Sequence, residues 1–204
     1  KPVLRTWAQY FRGLFMSVQR SQSTDNRYFL GEIYRTGIRE YFPFVYLVKE
    51  PLALHLLTLL ALAFAISRMI QPVYHREWLQ ENFMGIAFIV VLAFYWLLSI
   101  RSSLNIGVRH LLPTFPFVYI LVSSQIAERY RRLRDHAPET ELQSLSPGAM
   151  HASLWALRGI LAVALTWQAF SVLRVHPSYL AYFNELAGGP DGGWRYVVDS
   201  NLVW

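Results

Sequence analysis

Four stretches of the chain are almost free of charge, and the polar residues crowd between them. They cover residues 51–70, 83–100, 111–127 and 154–173. Each approaches the roughly 20 apolar residues an α-helix needs to cross a hydrocarbon core about 30 Å thick. The pattern predicts an all-α protein: a multispanning transmembrane helical bundle of about four spans, with extracytoplasmic loops and interfacial helices. In the first span, Pro51 suits a first helical position, where its missing N–H costs nothing. His55 interrupts this run, and Arg68 lies near enough to its end to snorkel. The second span is the cleanest, with Tyr95 and Trp96 placed near one interface. The third is short, and Ser123, Ser124 and Gln125 make its end polar. The fourth carries Arg158 one turn inside its start, where the guanidinium must snorkel or pair. Buried helices of a large soluble protein are the competing reading. Four such runs in 204 residues leave too little polar surface to cover them in water.

The remaining segments divide the chain. Residues 3–18 place apolar side chains at helical spacing, with Arg5, Arg12 and Arg20 outside that stripe, as in an interfacial amphipathic helix. The polar run "STDN" ends it. Residues 27–51, rich in aromatics and punctuated by Gly31, Gly37 and Pro43, read as a segment lying against the outer membrane face. Residues 137–153 are dominated by Pro, Ser, Thr and Gly and show no apolar period, which reads as a flexible linker. The expected organisation is therefore an extracytoplasmic, interfacial segment over 1–50, three spans over 51–136, a cytoplasmic linker over 137–153, and a fourth span with an extracytoplasmic tail over 154–204. The chain opens on Lys1 rather than Met and is expected to be a piece of one larger membrane domain.

Composition narrows the function classes. The sequence is 54% hydrophobic and 16% charged, against roughly 25% charged in an average soluble domain. Its 7 Trp and 12 Tyr suit rings held at headgroup level. A net charge of +6 fits an anionic lipid surface or an anionic substrate. Nucleic acid is not an expected partner, because no recognition motif accompanies the charge. The absence of cysteine excludes disulfides, cysteine metal sites and thiol catalysis. His55, His75 and His151 are scattered, without metal-ligand spacing, and no pair of carboxylates stands out as an acid/base dyad.

The positive-inside rule sets an orientation. The cluster "ERYRRLRDH", residues 128–136, is the densest short basic run and is expected to be cytoplasmic. Alternation then puts the 71–82 loop inside. The segment before Pro51, the 101–110 loop and the tail after residue 173 lie outside. The basic residues of 1–50 run contrary to the rule, but long translocated segments weigh little in it.

This topology brings Lys49, Arg101, Arg109 and His110 to one face with Glu185, Asp191 and Asp199. Cations at an interface invite a phosphate, and the arginine fork matches phosphate oxygens. Arg109 and His110 open the stretch "RHLLPTFPF", where Pro113 and Pro116 keep the helix entry irregular. Irregular backbone at that depth is tolerated where it lines a polar cavity, and Gly107 lets the chain approach a ligand closely. A loop that only touches lipid headgroups fits the same residues equally well. In the tail, "AGGPDGG" is a turn-rich loop without the context of a phosphate-binding motif. The triplet "DSN" offers Asp199, Ser200 and Asn201 either as a polar constellation or as a plain turn or helix cap.

Three segments, "FLGEIYRTGIREYFPFVYLVKEPLAL", "NIGVRHLLPTFPF" and "HPSYLAYFNELAGGPDGGWRYVVDSNLVW", together resemble the membrane glycosyltransferases that use polyprenyl-phosphate sugars. These belong to the C-type superfamily, related to protein O-mannosyltransferases and to the aminoarabinose transferase acting on lipid A. The resemblance covers most of residues 29–204, and "RHLLP" and "YLAYFNELAGGP…DSN" are its specific pieces. It implies transfer of a sugar from an undecaprenyl- or dolichyl-phosphate donor to a protein, lipid or glycan acceptor. The expected location is the extracytoplasmic face of a bacterial inner membrane. It also implies a catalytic Asp in an external loop upstream of this chain, so the general base is expected outside these residues. Val203 stands where such sequences usually carry Asp. The candidate substrate-binding residues, gathered by the topology, are Lys49, Arg101, Arg109, His110, Glu185, Asp199 and Asn201. No cofactor is required by the sequence, and a divalent metal is compatible with the resemblance. The alternatives are a transporter or flippase segment, or a non-catalytic membrane partner that binds a lipid-linked anion.

Overall fold

The computed structural model describes residues 2–21, 27–69, 82–103, 105, 107–135 and 146–197. Six α-helices lie among them: α1 (Pro2–Ser21), α2 (Tyr41–Lys49), α3 (Leu52–Met69), α4 (Phe83–Arg101), α5 (Phe115–Asp135) and α6 (Pro147–Arg174). A small antiparallel hairpin pairs β1 (Arg27–Phe29) with β2 (Glu32–Tyr34).

Four helical segments are long and apolar enough to cross a membrane: Leu52–Met69, Phe83–Arg101, Val108–Asp135 and Gly148–Arg174. Most of their surface faces outward. In α4 only Ser99 is buried, while Ile89, Val90, Phe94 and Leu98 are exposed. A continuous apolar surface of this kind is unstable in water and at home in lipid. The chain is a multispanning integral membrane protein. The hydroxyls along these helices bond back to the preceding turn, as Thr58 does to the Leu54 carbonyl at 2.8 Å and Ser99 to that of Tyr95 at 2.9 Å. A hydroxyl bonded in this way is not left as a lone donor facing hydrocarbon.

The bundle is built on α3, α5 and α6. Ala53, Leu57 and Ala61 recur every fourth residue and so share one face of α3. They pack with Val122, Ile126 and Leu133 of α5 and Leu154, Leu157 and Ala164 of α6. The small alanines let the helix axes approach, which is how membrane helices gain contact when lipid is as apolar as leucine. Within this packing Arg158 pairs with the Tyr130 hydroxyl, at 2.8 Å from one terminal nitrogen and 3.2 Å from Nε. Its guanidinium also lies 4.8 Å from the Trp155 ring.

Two helix boundaries differ from the sequence expectation. The third span does not stop at its polar end: α5 runs on through the basic cluster to Asp135. Glu128 bridges Arg131 at 2.6 Å and Arg132 at 2.8 Å, and such pairs at spacings of three and four support a solvated helix. The fourth helix starts earlier than expected, at Pro147. Ser146 caps it, accepting from the Ala149 amide at 3.3 Å, and Pro147 fits the first position. Residues 147–153, read as linker, are thus the first turns of α6; residues 136–145 lie outside the described residues.

A second cluster closes one end of the bundle. Phe29, Ile38, Tyr41, Phe42, Val45 and Val48 pack with Leu111 and with Phe183, Ala187 and Val197. The pre-α3 segment, the turn before α5 and the tail after α6 therefore meet in one apolar cap, as the alternating topology requires. Tail and hairpin are joined through backbone: the Leu30 amide donates to the Tyr196 carbonyl at 2.7 Å, and Phe29 bridges Val197. The basic end of α5 lies at the opposite end of the bundle. If that end is cytoplasmic, a cysteine introduced at Ser144, in a chain without native cysteine, is expected to resist an impermeant maleimide added from outside. Labelling from outside would reverse the orientation.

Candidate functional site

The cap is held by a short list of polar contacts. Asn184 is 1% exposed. Its amide donates to the Leu47 carbonyl at 2.6 Å and the Glu50 carbonyl at 2.8 Å, and its backbone N–H donates to the Val48 carbonyl at 2.9 Å. These are carbonyls at the C-terminal end of α2, which have no partner within the helix itself. Its side-chain oxygen accepts from the Leu186 amide at 3.1 Å. One tail residue thus ends α2 and starts the turn at Glu185–Ala187. Gly193 abuts the Phe183 ring so closely that any Cβ would overlap it, which accounts for part of the "AGGPDGG" run. Asn184→Ala is expected to cost about 1–3 kcal/mol, because the buried Glu50 carbonyl loses its donor. The isosteric Asn184→Asp should cost at least as much, since it turns an acceptor toward two carbonyl oxygens. Thermal unfolding in detergent measures both, and native stability of the Asp variant would contradict this account.

The loop after α4 is pinned to the backbone of the segment before α2. Asn105 accepts from the Ile38 amide at 3.0 Å and donates to the Ile38 carbonyl at 3.1 Å. Gly107 has φ +92°, a conformation that disfavours any side chain, and it precedes a 3₁₀ turn, Val108–Thr114, that carries Pro113. The expected irregular entry is this turn, and Gly107 serves its geometry.

Between the cap and the bundle lies a cavity of about 310 Å³. Lys49, Glu50, Arg109, Tyr119, Gln168 and Tyr182 supply its polar lining, and Val108, Leu112, Phe115, Val172 and Leu180 its apolar walls. Lys49 is 6% exposed. Its ammonium donates to the Leu180 carbonyl at 2.8 Å and lies 4.2 Å from the centre of the Phe183 ring. Glu50 is equally buried, and burial pushes its carboxyl up to about 7. Tyr46 and Tyr182 are both pushed up to about 12, by burial first and partly by the nearby Glu50 charge; Glu185 adds to the effect at Tyr182. The buried Tyr182 hydroxyl makes no hydrogen bond of full geometry, although Ser171 lies near enough to oppose the rise. A second cavity, about 430 Å³ and almost wholly apolar, runs between α3, α5 and α6 past Leu57, Val122, Ile126, Leu161 and Leu165. Tyr119 and Gln168 line both. From Tyr119 to Tyr130 the groove follows α5 for about 16 Å at 1.5 Å per residue, roughly half the hydrocarbon thickness.

No protein-family model, curated protein or solved structure matches the chain. The site therefore rests on its own geometry. Lys49 and Arg109 line the polar cavity. His110 does not: its ring packs 5.2 Å from Phe42 and 5.9 Å from Tyr95, whose hydroxyl donates to the His110 carbonyl at 2.6 Å. Arg101 ends α4 and is exposed. Glu185 accepts from the Trp167 indole at 3.0 Å on an exposed surface. Asp191 accepts from the Trp194 indole at 2.9 Å through its backbone carbonyl. Asp199 and Asn201 lie outside the described residues. Among the described residues no cluster of three His, Asp or Glu could hold a metal. Glu50 and Tyr182 join the site only in three dimensions. For Glu50 a sequence signal existed: a carboxylate beside a lysine, directly ahead of Pro51, between two apolar helices.

Proposed function

We propose that this chain belongs to a membrane glycosyltransferase that takes a sugar from a polyprenyl-phosphate donor on the extracytoplasmic side. The observation that carries the reading is the pair of adjoining cavities. A polar pocket with Lys49 and Arg109 at its wall opens beside an apolar groove between three spans. A lipid phosphate has these two parts in this order: an anionic head and a long hydrocarbon tail. The lysine and arginine suit the head, and the arginine fork adds bidentate geometry. The groove suits the isoprenoid chain. The three segments that resemble the polyprenyl-phosphate glycosyltransferases all contribute to the cap around the polar pocket.

In such a transfer an acceptor hydroxyl attacks the anomeric carbon as the bond to the lipid phosphate breaks, and its proton passes to a carboxylate base, expected upstream of these residues. The electron pair goes to the phosphate, whose growing charge needs cations already in place. Lys49 and Arg109 have that role here. Glu50 titrates near neutral pH, so it sets the charge of the pocket and can exchange a proton within it. The test is binding of a polyprenyl phosphate to the protein in nanodiscs, read by native mass spectrometry. The phosphate lipid should bind, the corresponding polyprenol should bind weakly, and Arg109→Ala should narrow the difference between them. Equal binding of alcohol and phosphate would remove the anionic head from the reading.

A further inference from the structure

We propose that α1 is an anionic-lipid anchor, lying along the membrane surface on the face that carries the cap. Every described side chain from Arg5 to Met16 is exposed, including Trp7, Tyr10, Phe11, Leu14 and Phe15. At 100° per residue these five fall within one face of the helix, while Arg5, Gln9 and Arg12 fall on the other. Trp7 and Phe11 stack at 6.1 Å, and Tyr10 meets Trp7 edge-on at 6.4 Å, so the aromatic face is a preformed plate. The helix sequence holds three arginines and no acidic residue.

An aromatic face opposite a polar one whose charges are all cationic matches the boundary between anionic headgroups and acyl chains. A soluble partner is a poorer fit, because the chain is already held in the bilayer by four spans. Five residues, 22–26, connect α1 to β1, and β1 is built into the cap through Phe29. Five linking residues reach no more than about 20 Å, which keeps the C-terminal end of α1 near that membrane face. The inference does not depend on the sugar-transfer reading.

The full chain in lipid vesicles tests it, with an environment-sensitive fluorophore on Phe11→Cys or, separately, on Gln9→Cys. With vesicles rich in phosphatidylglycerol, the probe at position 11 should be shielded from acrylamide quenching and the probe at position 9 should not. Replacing the anionic lipid by phosphatidylcholine, or combining Arg5→Gln with Arg12→Gln, should shift position 11 toward water. The docked-to-free ratio should fall by roughly fivefold per arginine removed. Equal quenching at the two positions in anionic vesicles would overturn the proposal. So would shielding at position 11 that ignores both lipid charge and the arginine changes, since α1 would then rest on protein.

Discussion

Arg109→Ala, made in the full protein in its membrane, is expected to slow the proposed sugar transfer from a lipid-phosphate donor by about ten- to a hundredfold. A hydrogen bond to a charged group is worth roughly 1.5–3 kcal/mol, and each 1.4 kcal/mol is about a factor of ten in rate. The loss should fall on the chemical step as well as on binding, because the leaving phosphate carries more charge than the bound donor. Arg109→Lys keeps the charge and loses the fork, so it should recover only part of the rate. Asn184, Asn105 and the backbone contacts of the tail hold the cap. Thermal unfolding of both variants in detergent separates a lost role in transfer from a lost fold. Near-native transfer by a folded Arg109→Ala protein would reduce Arg109 to a contact with lipid headgroups.

Glu50→Gln is expected to stabilise the protein at alkaline pH and to leave it unchanged in mild acid. In the folded protein Glu50 keeps its proton up to about pH 7, against a value of 4.5 for an unburied glutamate. Between these values the unfolded chain has released the proton and the folded chain still holds it. Stability therefore falls as pH rises from about 4.5 to about 7 and stays lower above that. A displacement of this size corresponds to about 3 kcal/mol, which Gln, close in shape and never charged, removes. Unfolding in detergent near pH 5 and near pH 8 measures it. Parallel pH dependences in the two proteins would show that burial does not strain this carboxyl. A charge this costly, set in the wall of a cavity beside Lys49, is better explained by use than by packing. Glu50→Gln should accordingly alter transfer even while it stabilises the fold.

Several parts of this molecule could be read from order and spacing alone. The four spans were legible because hydrocarbon imposes a length and a composition on any helix that crosses it. The helical stripe of residues 3–18 was legible because its period follows a local rule, whereas Pro51 stands one residue before its expected place: α3 starts at Leu52 and the Pro51 carbonyl accepts from the Leu54 amide at 2.9 Å. The meeting of the 27–50 segment, the Arg109 turn and the tail followed from counting crossings. The C-terminal end of α5 and the start of α6 differ from the sequence expectation because charge and polar composition do not by themselves stop a helix. Side-chain pairs around Glu128 carry α5 onward, and the Ser146 cap with Pro147 starts α6 inside what looked like linker.

The sequence by itself determined that the protein spans a membrane, that cations and aromatic residues gather at one end of its spans, and where most spans lie. Those properties depend on neighbours along the chain. Only the tertiary structure decided which of the cations share a cavity. Lys49 and Arg109 line one pocket with Glu50, whereas His110, next to Arg109 in sequence, turns its ring onto Phe42 and Tyr95. The 3₁₀ turn at Val108–Thr114 separates these two side chains, and spacing along a chain does not say which way such a turn faces. Glu50 was settled in the same way. Asn184, more than a hundred residues away, takes up the Glu50 carbonyl, and Tyr182 of the same tail lines the cavity with Glu50. Contact with a distant segment is a property of packing, and packing is what a single sequence leaves implicit.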